Sequence, residues 1–160
     1  WIFNWHLEYL CRRAQRLIDD CANGLPNNDL IINVPPRSTK SYIFSICLNA
    51  WAWASGYAHL KFMTLSYADN LSAKFSYKTR LLIQGNWYQK YFSDEFKLND
   101  DDNRKTSYTN NKSGSRESFG WTGSVTGSGC DVCIIDDCQK PSDTSDIKLD
   151  SCIEILCIIG

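Results

Sequence analysis

The sequence lacks a dominant charge, a long apolar run and an export signal. Lys and Arg number 17 against 18 Asp and Glu, a formal net charge of -1. No global basic field therefore draws in nucleic acid, and contact with a polyanion has to come from a local patch. No apolar stretch reaches the roughly 18 residues of a membrane span. The front shows no charged segment, apolar segment and cleavage site in series, so the expectation is a protein that is not secreted. Histidine is scarce as well: His6 and His59 stand far apart and isolated.

Large apolar side chains are plentiful. In 160 residues and 18.3 kDa the hydrophobic fraction is 43%, with six Trp, eight Tyr and seven Phe. That suffices for one domain with a real core. There is no starting Met, the front reads as the inside of a helix ("WIFNWHLEYLCRRAQRLIDD"), and the end is an apolar run ("CIEILCIIG"). Both ends read as cuts, and the expectation is a piece of a longer protein. The eight Cys leave three readings open. Cys130-x-x-Cys133 with Cys138 invites zinc or a disulfide, but a zinc site normally needs a second ligand pair at regular spacing. The favoured reading is reduced, small, mostly buried hydrophobes.

Periodicity orders the chain into alternating helices and strands, which makes a parallel α/β sheet the natural class. Phe3, Leu7, Leu10, Ala14, Leu17, Ile18 and Cys21 recur at helical spacing, and Asn23-Gly24 and Pro26 stop that helix. Residues 29–34 suit a buried strand. Residues 38–54 read as a helix with Ile43, Phe44, Cys47, Leu48 and Trp51 on its apolar face. A second strand falls in 59–68, and a helix in 68–85 with Asp69 or Asn70 as cap. "NWYQKYF" is a short helical or turn segment. Residues 93–105 read as a solvated charged loop. The alternation of "TSYTNN" and "SRESFGW" suits a hairpin with "NKSGS" at its tip. "CDVCIIDD" is a third buried strand, ending in two aspartates.

The stretch "LIINVPPRSTKS" poses the functional question. A Walker A loop, G-x-x-x-x-G-K-[ST], sits between a strand and a helix. Aligned on Lys40-Ser41, this chain has Val34 and Thr39 where the glycines belong. The strict pattern fails while its context holds. Backbone N–H groups around Ser38 to Ser41 would face phosphates at a helix start, Lys40 would neutralise them, and the Ser41 hydroxyl would ligate Mg2+. Thr39 is the awkward residue, because a β-branched side chain resists the close approach that glycine permits. "VCIIDD" supplies the complementary half: Asp136 for Mg2+ and Asp137 to orient or deprotonate the attacking water. Acid at the carboxyl end of a parallel strand lies where open α/β sheets bind ligands. The bland alternative is a strand–turn–helix corner and a solvated acidic loop.

These segments resemble the ATPase region of the large terminase subunits of tailed bacteriophages. That family often writes its phosphate loop PPR-x-x-KS. "FMTLSYADNLSAKFSYKTRLLIQGNWYQKYF" is similar to its SY-x-x-x-LA…R-x-[IL]-I…Y-x-x-[IL]-F segment. "GWTGSVTGSGCDVCIIDDCQKPSD" resembles its TG-x-G…DD-x-x-KP segment, and "FNWHLEYLCRRAQRLIDDCANG" fits the helix leading into the loop. Together they cover nearly the whole chain in order.

The resemblance implies a P-loop NTPase core of the RecA/ASCE kind. Its sheet would be largely parallel, flanked by helices and incomplete at the C-terminal end. Residues 1–160 would be the N-terminal part of the ATPase domain, without the nuclease domain. It implies ATP and Mg2+ as cofactors and hydrolysis that drives double-stranded DNA into the prohead. The implied partners are DNA, the portal protein and the small terminase subunit, in a homo-oligomeric ring in the host cytoplasm. By position, Pro36, Arg37, Ser38, Thr39, Lys40 and Ser41 would hold the nucleotide, with Arg37 at the γ-phosphate. Ser41 and Asp136 would hold Mg2+, and Asp137 would be the catalytic carboxylate.

Asn4, Trp5 and His6 lie where such motors contact adenine, against the favoured reading of a packed amphipathic helix. Ser128 stands where many relatives carry a basic residue, which leaves Arg104 and Arg116 as candidates for a trans-acting arginine, against plain surface charge. Arg12, Arg13 and Arg16, or Lys74, Lys78 and Arg80, are candidate DNA patches or solvated helix faces. The alternatives are a decayed prophage remnant, or a nucleic-acid-binding or assembly module that keeps the fold without turnover. Another P-loop enzyme ranks last.

Overall fold

The computed structural model describes residues 4–26, 29–35, 38–120 and 129–136, and the backbone of Cys152–Ile158. It is an α/β structure with one mixed sheet flanked by helices.

Helix α1 (Trp5–Ala22) buries the face carrying Leu7, Leu10, Ala14, Leu17 and Ile18. It ends in a left-handed glycine, Gly24 at φ +63, with Gly24 N donating to Cys21 O and Leu25 N to Asp20 O. That pair of bonds satisfies carbonyls that the helix end would orphan.

The strands are β1 (Leu30–Val34), β2 (Phe62–Ser66), β3 (Leu98–Asn103), β4 (Ser107–Asn110), β5 (Ser115–Gly120), β6 (Val132–Asp136) and β7 (Cys152–Ile158). Their order across the sheet is β1-β7-β6-β2-β5-β4-β3. The sheet is mixed rather than largely parallel. β2 pairs parallel with β5 and β6. The pairings β1 with β7, β6 with β7, β3 with β4 and β4 with β5 are antiparallel. Both departures have a local cause. The β4–β5 hairpin turns back at once, as antiparallel strands can. β7 enters between β1 and β6 against both.

Because β1 and β6 each oppose β7, they run the same way, and β2 and β5 run with them. Val34, Ser66, Gly120 and Asp136 thus end four strands at one edge of the sheet. That edge is where side chains after β1 and at the tip of β6 can meet.

Between β1 and β2 the expected single helix is split. A π-helical turn (Tyr42–Cys47) precedes α2 (Leu48–Ala54). The wide turn re-phases the helix. Phe44, Ile46, Leu48, Ala50, Ala52 and Trp53 are buried, whereas Ile43, Cys47 and Trp51 are only half-buried. Trp53 is the central core residue. Its indole N–H donates to Leu60 O at 3.1 Å, and its ring meets Phe96 and Tyr108 edge-on at 5.2 and 6.0 Å. Truncating such a ring to Ala typically costs about 3–5 kcal/mol.

Helix α3 (Asp69–Gln84) starts as the sequence suggests, but neither Asp69 nor Asn70 caps it: the cap residue is Ala68, and the helix start has no side-chain cap bond. The Asp69 carboxylate accepts from Gly120 N at 2.6 Å instead, tying the helix start to the tip of β5. "NWYQKYF" is helix α4 (Asn86–Phe92). Residues 93–105 are not simply a loop, since Leu98–Asn103 forms the edge strand β3, with Asp100 and Asp101 exposed. Acidic side chains on an edge strand discourage pairing with another chain.

Candidate functional site

β1 ends at Val34, and the chain turns at once, with Ser38 N donating to Pro35 O at 3.3 Å. Thr39 then takes φ +67, the left-handed region. A β-branched residue rarely sits there, and glycine does so freely. Its hydroxyl donates to the Ser38 carbonyl. From Lys40 the backbone is helical, and Ile43 N donates to Thr39 O at 3.1 Å. The position where a Walker loop carries glycine thus has the backbone that glycine favours, occupied by threonine.

Lys40 is buried, 4% exposed, and its Nζ lies 3.3 Å from Asp136 Oδ1. Asp136 is fully buried at the tip of β6. Removal of two charges from water is tolerated here because each neutralises the other. The second carboxylate oxygen is also engaged: Ser45 Oγ donates to Asp136 Oδ2 at 3.1 Å, between residues 91 apart in sequence. The structure therefore brings together the lysine of "PPRSTKS" and the first acid of "CIIDD".

Ser45 lies in the π turn. Its carbonyl accepts from Arg116 Nη2 at 2.8 Å, and the single Thr79 hydroxyl proton has the Ile46 and Phe75 carbonyls as its near acceptors, at 3.0 and 3.1 Å. A π turn opens the helical ladder, here at the carbonyls that take these side-chain donors. Arg116 is 0% exposed, and its Nε and Nη1 meet no hydrogen-bond partner. Burial pushes its guanidinium below the usual range, an effect that nearby Tyr108 partly offsets. Tyr108 faces Arg116 directly across β4 and β5, and burial pushes its phenol up to about 12.

Of the expected site residues, Lys40, Asp136, Ser38, Thr39 and Ser41 fall in the described part. Ser38 Oγ is buried without a hydrogen-bond partner, and Ser41 is half-buried in the first helical turn. Pro36, Arg37, Asp137 and Ser128 lie outside the described residues. Arg116 is not surface charge, and with its guanidinium in the core it is unavailable to a neighbouring subunit. Arg104 is exposed. Trp5 is 78% exposed rather than packed, with the His6 ring edge-on at 6.1 Å. In the candidate patches, Arg12 is engaged by Glu8 at 2.6 Å, and Arg80 donates to Asn103 O at 2.7 Å. Arg13, Arg16, Lys74 and Lys78 remain exposed. Cys133 is buried, whereas Cys11, Cys21, Cys47 and Cys130 are only half-buried, and none of these five is in a disulfide.

Ser45, Thr79 and Arg116 were not legible as site neighbours from motifs. The signal was the strand alternation, which puts Arg116, Ser118 and Gly120 on the buried face of β5. An arginine on the buried face of a hairpin strand needs an inner acceptor.

The donor set suits a hard cation beside phosphate. Mg2+ takes oxygen ligands, commonly one or two carboxylates with substrate phosphates and waters. Asp136 Oδ1 is buried and faces Lys40 Nζ at 3.3 Å, and hydroxyls of Ser38 and Ser41 stand on the adjoining turn. Among the described residues no cluster of three or more His, Cys, Asp or Glu could hold a metal by protein ligands alone. Among them, too, no helix is long and apolar enough to cross a membrane. Comparisons with protein-family models, with curated proteins and with solved structures find no match to this chain.

Proposed function

We propose that the chain binds ATP with Mg2+ between the 35–41 loop and Asp136 and hydrolyses it, as the ATPase part of a DNA-packaging motor resembling the phage large terminase subunit. The observation that carries this reading is the approach of Lys40 Nζ to Asp136 Oδ1 at 3.3 Å, from the turn after β1 to the tip of β6. A lysine and a carboxylate buried together at the carboxyl edge of parallel strands are the two charges that phosphate and its cation need.

On this reading the Lys40–Asp136 pair is the resting arrangement. The two charges hold each other until phosphate takes the lysine. Lys40 then neutralises the β- and γ-phosphates, and Ser41 and Asp136 hold Mg2+. When bound, Mg2+ neutralises charge that builds on the phosphates. Backbone N–H groups of Ser38 to Ser41 orient the phosphate chain, with Pro36 and Arg37 completing the loop and Arg37 at the γ-phosphate. Asp137 takes the proton of the attacking water. Ser45 steadies Asp136 through its second oxygen. Double-stranded DNA, the portal protein, the small terminase subunit and further copies of the chain in a ring are the partners this reading assigns, in the host cytoplasm.

A second reading, nucleotide binding without turnover, is favoured by the strained Thr39. Phosphate release separates the two. Mg2+-dependent release by the wild type that Asp136→Asn abolishes supports the motor. Saturable binding with no release supports the second reading, and absence of both overturns the nucleotide site.

A further inference from the structure

We propose that the exposed side of α3 and α4 binds single-stranded nucleic acid, with lysine and arginine on the phosphates and exposed rings stacked on the bases. The surface lies apart from the loop and strand tip assigned to ATP, so its test stands separately from that of the nucleotide reading.

The net charge of the chain is -1, yet its two signs are not evenly mixed. Residues 70–93 hold Lys74, Lys78, Arg80 and Lys90 and no Asp or Glu. The turn after β3 adds Arg104 and Lys105, both exposed, and it is tied to α3. Arg80 Nη1 donates to Asn103 O at 2.7 Å and to Asn103 Oδ1 at 3.1 Å. Arg80 and Lys105 converge on one ring, with their charged ends 5.5 and 5.7 Å from the Tyr77 centroid. Among the described residues the ion pairs are Arg12 with Glu8 and Lys40 with Asp136, so none of these cations is neutralised by a carboxylate, Asp100 to Asp102 of β3 included. Lys74 and Lys78 also stand one helical turn apart, a spacing at which like charges repel. A bound polyanion relieves that repulsion. Helix α1 is different: it carries three arginines, but Glu8, Asp19 and Asp20 share the helix, and Glu8 holds Arg12.

The rings narrow the class of polyanion. Lys74, Tyr77, Lys78 and Leu81 are all exposed and follow the spacing of one helix face, which sets a ring between lysines. After Gly85 the chain enters α4, pinned by Gln89 Nε2 donating to Ile83 O at 2.7 Å. That helix leaves Trp87 64% and Tyr91 59% exposed. Their rings lie 5.7 Å apart, and Lys90 Nζ stands 5.4 Å from the Tyr91 centroid. Exposed rings among cations suit unpaired bases, whose faces are free to stack, whereas a duplex keeps its base faces inside. A lipid surface calls for a broad apolar face, and these two helices expose a single large aliphatic side chain, Leu81.

The test is fluorescence anisotropy of the full chain, without nucleotide, against a labelled oligothymidylate, a duplex of equal length and phosphatidylserine vesicles. The single strand should bind on the order of tenfold tighter than the duplex, the stacking contribution of a base or two. Its log affinity should fall with log salt at a slope of about -3, as for some four phosphates. Lys74→Ala/Lys78→Ala should flatten that slope by about 1 to 1.5. Trp87→Ala/Tyr91→Ala should weaken binding on the order of tenfold and leave the slope unchanged. Arg13→Ala/Arg16→Ala on α1 should change neither. Absence of binding by the wild type, a duplex bound as tightly as the single strand, vesicles bound in its place, or a loss confined to the α1 variant would each overturn the proposal.

Discussion

Arg116 donates to the carbonyl of Ser45 at 2.8 Å, and through Ser45 the core is coupled to the acid at the sheet edge. Arg116 lies four residues back from the tip of β5, level with Phe62, while Asp136 is level with Ser66. The arginine therefore extends along the sheet beneath the π turn, and Ser45 faces both ways. Its carbonyl takes the guanidinium and its hydroxyl serves Asp136.

Ser45→Ala removes a donor from a fully buried carboxylate. It should cost about 1–3 kcal/mol, the usual penalty for an unsatisfied buried acceptor. Arg116→Met should cost less than about 1.5 kcal/mol, because losing one hydrogen bond is offset by relief of a desolvated cation. Urea denaturation of the two variants checks the order. A larger loss for Arg116→Met would mean that the guanidinium has further partners.

Thr39→Gly should stabilise the protein by about 0.5–1 kcal/mol. Relief of the left-handed strain, roughly 1–2 kcal/mol, exceeds the added freedom of glycine in the unfolded chain. Nucleotide affinity should stay equal or rise. Thermal melts and a binding titration check both halves, and a loss of stability would show that the Thr39 hydroxyl outweighs the strain.

Gly120→Ala would drive a Cβ into the Asp69 carboxylate and to 3.0 Å from its backbone nitrogen. The tie from Gly120 N to Asp69 Oδ1 would break. A destabilisation of about 1–3 kcal/mol is expected, as for other overpacked sites. A smaller loss in Gly120→Ala/Asp69→Ala than in Gly120→Ala alone would locate the clash.

The tyrosines set an alkaline limit. Burial raises the Tyr108 phenol to about 12 and raises that of Tyr88, which donates to Ala50 O at 2.7 Å. Their folded pKa values lie above the unfolded value of about 10, so the folded state holds the proton longer. The stability from these groups is fully present below pH 10 and is lost as pH rises toward 12. Denaturant midpoints measured from pH 8 to 12 should fall above 10. Tyr108→Phe should flatten that fall, by an amount on the order of 2–3 kcal/mol for the Tyr108 contribution. An unchanged slope would contradict the burial argument.

Most elements were legible because their apolar periods are unambiguous. The face Leu7, Leu10, Ala14, Leu17 of α1 and the run Val132 to Ile135 of β6 could be little else. Three features were hidden for physical reasons. The π turn at Tyr42–Cys47 depends on side chains from α3 and β5, which a local pattern cannot supply. The strand Leu98–Asn103 is made by pairing with β4 rather than by propensity, since aspartates disfavour strands. β7 opposes its neighbours, and an apolar run does not state its direction. Within the site, Lys40 and Asp136 could be expected as partners from "STKS" and "CIIDD". Ser45 and Arg116 could not, because their roles arise from the re-phased helix and from register.

On the proposed reading, Lys40 and Asp136 are the two halves of a Mg2+-nucleotide site. Lys40→Met alone strands a buried carboxylate and should cost about 3–5 kcal/mol, whereas Lys40→Met/Asp136→Asn removes both charges and should recover most of that. The decisive measurement is Mg2+-dependent binding of a fluorescent ATP analogue to the wild type and to this refolded double variant. Saturable binding by the wild type, weakened when Mg2+ is withheld, is expected, and none by the double variant. Absence of binding by a folded wild type, or equal binding by the double variant, would contradict it.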